Sequence, residues 1–301
     1  MGRPPVLRAA TRRSPLAIWQ AEHVRGLLRA AHPGLIVELV GLDTEGDERL
    51  DVPISAIGGK GVFAKEVQQA VLTGRADFAI HSAKDLPAVT VEGLTLASVP
   101  TRGDARDALV GVTLDRLAKG ATVATGSQRR RAQLGRLRPD LVFAELRGNM
   151  ASRLSKVPDG GAIVVAAAAF QRLGLDQHLA QVFEVGEMIP QVGQGALAIE
   201  CRVDDHTTIE MLATIEHRPS RRRVDAERAF LAELGGDCDL PAGAHARFDG
   251  SAEAGVLILD SFLATAGSAS ARYALHQASG EAPEALGRAS ARHLLSALGP
   301  A

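Results

Sequence analysis

Short apolar runs rich in Val, Ile and Ala alternate with helix-period segments from the N-terminus to about Arg202. That alternation is the βαβ signature of a mostly parallel sheet, and it restricts the first two thirds of the chain to an α/β architecture. Strands are predicted near Val6–Thr11, Leu35–Leu42, Ala76–His81, Thr122–Thr125, Leu141–Leu146 and Ile163–Ala169. The first helix is marked by Ser14 as its cap, Pro15 in its first turn, and a buried stripe of Leu16, Trp19, Val24 and Leu27. Beyond Arg202 the pattern changes. Two helical stretches, Thr207–His217 and Arg221–Leu234, lead to a glycine-broken loop. Strands at Ala244–Phe248, Val256–Ala264 and Arg272–Gln277 come next, with a closing helix over Ala282–Leu298. That order reads as a small α+β domain. The segment from Pro190 to Gly195 reads as the connection by which the chain returns from a second lobe to the first.

Length and charge then narrow the class. A chain of 301 residues exceeds one ordinary core and suits two or three domains. A net charge of −1 with 3% aromatic residues excludes a general polyanion-binding surface, so any basic cluster is local. The N-terminal MGRPPVLRAATRRS has no apolar core of a secretory signal, and no stretch has the apolar length of a membrane span; a cytoplasmic location is expected. Two cysteines, Cys201 and Cys238, make no disulfide framework. Cys201 lies in an apolar run and reads as a small core residue, and no Cys/His spacing supports a metal site.

One internal echo bears on function. The first strand runs into Thr11-Arg12-Arg13-Ser14 and a helix, and the strand ending at Thr125 runs into Gly126-Ser127-Gln128-Arg129-Arg130-Arg131 and a helix. Hydroxyls and guanidiniums at a helix N-terminus are the ingredients of an anion site. Arg12, Arg129, Arg130, Arg147, Arg153 and Arg172 all fall at or just beyond predicted strand ends, where α/β sheets bind ligands. Such a set suits a ligand with several carboxylates or phosphates, although any one arginine taken alone better suits a solvated or salt-bridged surface. Ser82, Lys84 and Asp85 come directly after a buried strand; the carboxylate can meet a cation or move protons, and it also suits an Asx-type turn before Pro87. A glycine loop, Ile57 to Phe63, offers Lys60 as a further cation. Cys238, between Asp237 and Asp239 in a loop with neither strand nor helix periodicity, can serve as an attachment point or stand as a free thiol.

These stretches occur in the order ATRRSPLAIWQA, GGKGVFAKE, HSAKDLP, the Arg129-Arg130 pair, LRGNMASRL, FQRLGL, VGQGALAIEC and ERAFLAELGGDCDLPAG. In that order and over nearly the whole chain they resemble the porphobilinogen deaminase family. The resemblance implies two lobes like those of a periplasmic binding protein, 1–102 with 198–219 and 103–197, with the active site between them. A small α+β domain over 220–301 then presents the cysteine. It implies an enzyme that condenses four porphobilinogen molecules head to tail on a dipyrromethane primer, held through a thioether at Cys238, and releases a linear tetrapyrrole. The family's catalytic aspartate falls on Asp85. Its cofactor contacts fall on Arg129, Arg130, Lys84, Ser127, Thr125, Ser82 and Lys60, and its substrate contacts on Arg12, Ser14, Arg147, Arg153 and Arg172. A monomer with no nucleic-acid or membrane partner is expected on the same ground. The chain departs from the family at three places: Asp237 stands directly before the cysteine in place of a small residue, Gly126 replaces a serine, and Ala56 replaces a lysine.

Overall fold

The computed structural model describes residues 5–44, 61, 63–235, 240–250, 255–265 and 272–299. Its first segment runs β1 (Val6–Arg12), α1 (Pro15–Ala31), β2 (Ile36–Leu42), α2 (Lys65–Leu72), β3 (Phe78–Ser82), a 3₁₀ turn (Ala83–Asp85) and β4 (Leu94–Ser98). The second runs β5 (Asp107–Gly111), β6 (Thr122–Ala124), α3 (Gln128–Leu137), β7 (Val142–Ala144), α4 (Met150–Leu154), β8 (Ala162–Ala166), α5 (Ala167–Arg172) and β9 (Leu179–Val182). The chain continues with β10 (Leu197–Arg202), α6 (His206–Ala213) and α7 (Arg218–Glu233), and ends with β11 (Ala242–Phe248), β12 (Leu257–Ala264), β13 (Tyr273–Gly280) and α8 (Pro283–Leu298).

Two compact units divide these elements. Met1–Arg102 with Ala196–Arg221 forms the first, and Gly103–Gly195 with Arg222–Ala301 the second. In the first unit the sheet order is β2-β1-β3-β10-β4. Here β1 lies parallel to β2 and β3, whereas β10 is antiparallel to both β3 and β4, so one strand of the five runs against the rest. The second unit repeats the plan as β7-β6-β8-β5-β9, with β5 the reversed strand. Each reversed strand is the first one after the chain passes from one unit to the other, at Gly103 before β5 and at Gly195 before β10. Those two passage points lie side by side in the second unit: Gly103 N donates to Gly195 O at 3.0 Å. Gly195 has φ +83, and a Cβ there would sit 2.6 Å from Gly103 O, so the crossing requires glycine.

Each of the two five-stranded sheets buries both faces, as expected of mostly parallel sheets. In the first unit Leu7, Ala9, Ile80 and Ile199 pack with Val24 and Leu28 of α1, while Ala10 and Ala79 pack with Val67, Ala70 and Val71 of α2. The small third sheet, β11-β12-β13, belongs to the second unit and is fully antiparallel. Glu227 of α7, fully buried, ties it to the rest: its carboxylate accepts from Gly193 N at 2.8 Å and Ala246 N at 2.9 Å.

The α/β class with a small C-terminal α+β portion is as the sequence led us to expect, and the differences are local. The run predicted as a strand to Ala169 leaves the sheet at Ala166, because three consecutive alanines favour the helix α5. Segments β4, β5, β9 and β10 are not predicted from the sequence: each is only four to six residues long, and β5 and β10 are near-continuous apolar runs with no alternation. The buried stripe of α1 is Ala17, Ala21, Val24 and Leu28, with Leu16, Trp19 and Leu27 half-buried beside it. Small residues face the sheet where the helix lies close. Cys201 is buried in the core as expected, and burial, followed by the Asp205 charge, pushes its thiol up to about 11.

Candidate active site

Strands β1 and β3 are adjacent and parallel, so the residues just beyond them emerge at the same edge of the sheet. Arg12 ends β1 and Asp85 lies in the turn after β3. Arg12 Nη1 stands 3.9 Å from Asp85 Oδ2, and both side chains are partly exposed, at 21% and 27%. The guanidinium also lies over the ring of Phe63 at 4.3 Å from its centroid, a cation–π contact that fixes its plane. Three hydrogen bonds hold the turn. Ala83 N donates to Ala196 O at 3.0 Å, Leu86 N to Ala83 O at 3.4 Å, and Gln20 Nε2, reaching from α1, to Ser82 Oγ at 2.9 Å. Ser14 performs the capping expected of it, accepting from Ala17 N at 3.3 Å. Lys84 is half-buried on the same turn.

The second unit repeats the strand-to-helix arrangement. Ser127 caps α3 by accepting from Arg130 N at 3.4 Å, and Thr125 Oγ1 accepts from Ser127 N at 3.2 Å. Arg129 and Arg130 do not reach into solvent as strand-end arginines commonly do; they turn inward onto Asp107, which is fully buried at the start of β5. Arg130 Nε donates to Asp107 Oδ1 at 2.9 Å, and Gln194 Nε2 donates to the same oxygen at 3.0 Å. Arg129 Nη1 lies 2.7 Å from Asp107 Oδ2 and donates to Ile189 O. Burial works against an ionised Asp107, and the two guanidiniums outweigh it, holding the carboxyl well below the usual carboxylate range. Arg130 is affected in the opposite sense: burial lowers its pKa, and the Asp107 charge offsets part of that. Arg129 keeps Nε and Nη2 buried with no hydrogen-bond partner among the described residues. Close by, Gly243 of β11 would place a Cβ 3.1 Å from Arg129 Cδ.

Three further arginines follow α3 in the chain. Arg153 Nε donates to Gly148 O at 2.8 Å, Arg147 is half-buried, and Arg172 Nη2 donates to Gly195 O at 2.7 Å. Burial pulls the Arg172 pKa down to about 10, which leaves it a cation at neutral pH. Lys60 and Cys238 lie outside the described residues. Four contributors went unrecognised in the sequence: Asp107, Gln194, Gln20 and Phe63. Phe63, Gln194 and Gln20 sit inside motifs noted for other residues, whereas nothing local to Asp107 separates it from a surface carboxylate. Among the described residues no group of three His, Cys, Asp or Glu side chains could hold a metal ion, and no helix is long and apolar enough to cross a membrane.

Two family models match. The porphobilinogen deaminase dipyromethane cofactor binding domain covers residues 7–210, and the porphobilinogen deaminase C-terminal domain covers 221–296. Among solved structures, the methionine binding protein MetQ is 15% identical, over 70% of this chain and 90% of that one, with a TM-score of 0.46. The BenM effector binding domain with benzoate is 14% identical, over 71% and 91%, at 0.41. YhfZ from Shigella flexneri is 13% identical, over 77% and 91%, at 0.39. Assignment rests on the two family matches, which together span nearly all of the sequence and carry the dipyrromethane cofactor with them. The chain therefore belongs to the porphobilinogen deaminase family, transferases with the hydroxymethylbilane synthase activity of tetrapyrrole biosynthesis.

Proposed function

We propose that Asp85 is the catalytic carboxylate of this synthase and that Cys238 carries the dipyrromethane through a thioether. The observation that carries the Asp85 assignment is its place: a partly exposed carboxylate at the carboxyl edge of the sheet, 3.9 Å from the Arg12 guanidinium. Porphobilinogen is a pyrrole with an aminomethyl arm and two carboxylates. Loss of its amine as ammonia leaves an electrophilic methylene conjugated to the ring nitrogen, and positive charge develops on that ring. Asp85, fixed by the turn before the reaction begins, stabilises that charge without reorganising, and it accepts the proton displaced as each carbon–carbon bond closes. When bound, the dipyrromethane supplies the nucleophilic pyrrole carbon on which the chain starts.

The donor set fits such a polycarboxylated group. Arg129 has two buried N–H bearing nitrogens without an acceptor among the described residues, and a carboxylate would satisfy them. Arg130, committed to Asp107 and Val164 O, orients its neighbour. We assign the cofactor to Arg129, Arg130, Lys84, Ser127, Thr125, Ser82 and Lys60, and the substrate carboxylates to Arg12, Ser14, Arg147, Arg153 and Arg172. Each condensation adds two carboxylates, so several separate cations serve growth better than one anion site. We take the enzyme as a cytosolic monomer of three domains, 1–102 with 198–219, 103–197 and 220–301.

Replacing Asp85 with Asn tests the central role. Its ion pair is long and partly solvated, worth about 0–1 kcal/mol, so the thermal midpoint should hold while kcat falls by orders of magnitude. Near-normal turnover would refute it. Intact mass of the purified protein should exceed the polypeptide mass by two pyrrole units, and the Cys238→Ser variant should lack them.

A further inference from the structure

The reaction as assigned leaves a buried polar cluster beside the Asp85 turn without a task. His81 and Glu200 have side chains 3% and 1% exposed, with His81 Nε2 3.3 Å from Glu200 Oε2. Gln68 Nε2 of α2 donates to the same oxygen at 2.8 Å. Strand alternation puts both residues on the α2-covered face, whose cluster is apolar and includes Ala10, Val67, Ala70, Val71, Ala79 and Leu94. Burying polar groups costs free energy that apolar residues of similar volume would avoid, so stability alone does not explain polar side chains on such a face. Their position does. His81 is the last side chain on this face before the chain turns into Ser82, Lys84 and Asp85. On the opposite face Gln20 holds Ser82. A hydrogen bond from Gln20 thus holds the turn from one side of the sheet, and the close approach of His81 to Glu200 lies against it from the other.

We propose that Glu200, acting through His81, is a positioning residue for Asp85. This rests on Asp85 being the catalytic carboxylate. A carboxylate displaced by about 1 Å can lose as much as 100-fold in rate, so Glu200→Gln and His81→Gln should each lower kcat about 10- to 100-fold, with KM within about threefold of wild type. Each variant is assayed as holoenzyme, with primer loading read by intact mass and folding by thermal midpoint. Glu200→Gln is also made in the Asp85→Asn background. There it should lower the residual turnover no further, because the group it positions has gone. Should Glu200→Gln not accumulate as folded protein, Gln68→Met, which removes one donor to Glu200 and no charge, should lower kcat severalfold at unchanged KM. Wild-type kcat within twofold in the folded variants overturns the proposal, and so does an undiminished Glu200→Gln effect in the Asp85→Asn background. These results leave the Asp85 assignment standing. That assignment fails separately, and takes this proposal with it, if Asp85→Asn alone turns over normally.

Discussion

Asp107→Asn removes one negative charge from a site in which two guanidiniums are already out of water. The change is isosteric. Asn retains a carbonyl oxygen for Arg130 Nε and Gln194 Nε2, now 2.9 and 3.0 Å from Oδ1, so packing and most hydrogen bonds persist. What goes is the charge, 2.7 Å from Arg129 Nη1 and 2.7 Å from Arg130 Nη2, around a residue with 0% exposure. Removing one partner of a buried ion pair costs about 3–5 kcal/mol, because the remaining charge stays desolvated and uncompensated. In a unit of 150–250 residues each kcal/mol moves the midpoint by about 2–4 °C, so a fall of about 6–20 °C is expected. Calorimetry and urea titration at pH 7 would measure it. The pH dependence supplies a second check. Asp107 is held below the ordinary carboxylate range, so its contribution is fully present above the unfolded-state value near pH 4 and is lost as the pH falls further toward the folded-state value. The gap between wild type and variant should therefore be constant from pH 7 to 5 and shrink below about pH 4. A midpoint change under about 2 °C at pH 7, or a gap that closes already at pH 6, would refute the reading of this network.

Gly195→Ala should cost more than about 1 kcal/mol, since its Cβ would meet Gly103 O at 2.6 Å and Asp104 O at 2.7 Å; a wild-type urea midpoint would argue against the tight crossing. Arg172→Met removes a cation whose Nη2 holds Gly195 O and should leave enzyme carrying partial chains, visible by mass. A higher KM with no such species would remove Arg172 from the substrate set. His276 and His293 stack at 3.9 Å, and burial together with the His293 charge lowers the His276 pKa. Stability from this pair is present above the unfolded value near pH 6.5 and is lost as the pH falls through the lowered folded value. His276→Gln should flatten the urea midpoint between pH 7.5 and 5.5, and an unaltered slope would count against it.

How far the sequence carried depends on whether a residue's role is set by its neighbours along the chain. Ser14 and Ser127 could be read as caps because a cap is defined within four residues, and both accept from the helix they open. Asp85 could be placed because a polar turn directly after a buried strand must emerge at the sheet edge, and Arg12 does the same one strand away. The C-terminal strands and helix were legible for a similar reason, since hairpin pairing joins consecutive segments. The reversed strands were not. Each of β5 and β10 enters its sheet beside a strand distant in sequence, and no local period records which neighbour it will find.

Arg12 at the end of β1 and Arg129 and Arg130 in the helix that follows β6 are the same residue type beyond a buried strand, yet Arg12 keeps 21% exposure beside Asp85 while Arg129 and Arg130 close on a carboxylate with none. The difference comes from the partner. Asp107 arrives on the one strand that runs against its sheet, next to β8, more than 20 residues before the arginines it neutralises. Coulomb attraction in a desolvated site is strong enough to pull both guanidiniums inward, and two cations sharing one anion leave net positive charge behind. That residue of charge, with Arg129 Nε and Nη2 still lacking acceptors among the described residues, is the physical reason a buried arginine pair can serve structure and still draw a carboxylated ligand. A pair neutralised by two acids would serve structure alone, so Gln194→Glu, which sets a second carboxylate beside Asp107 at 3.0 Å and turns the donor to Ala105 O at 2.7 Å into an acceptor, should lower both the thermal midpoint and the primer retained by intact mass, and wild-type retention in the folded variant would refute the reading.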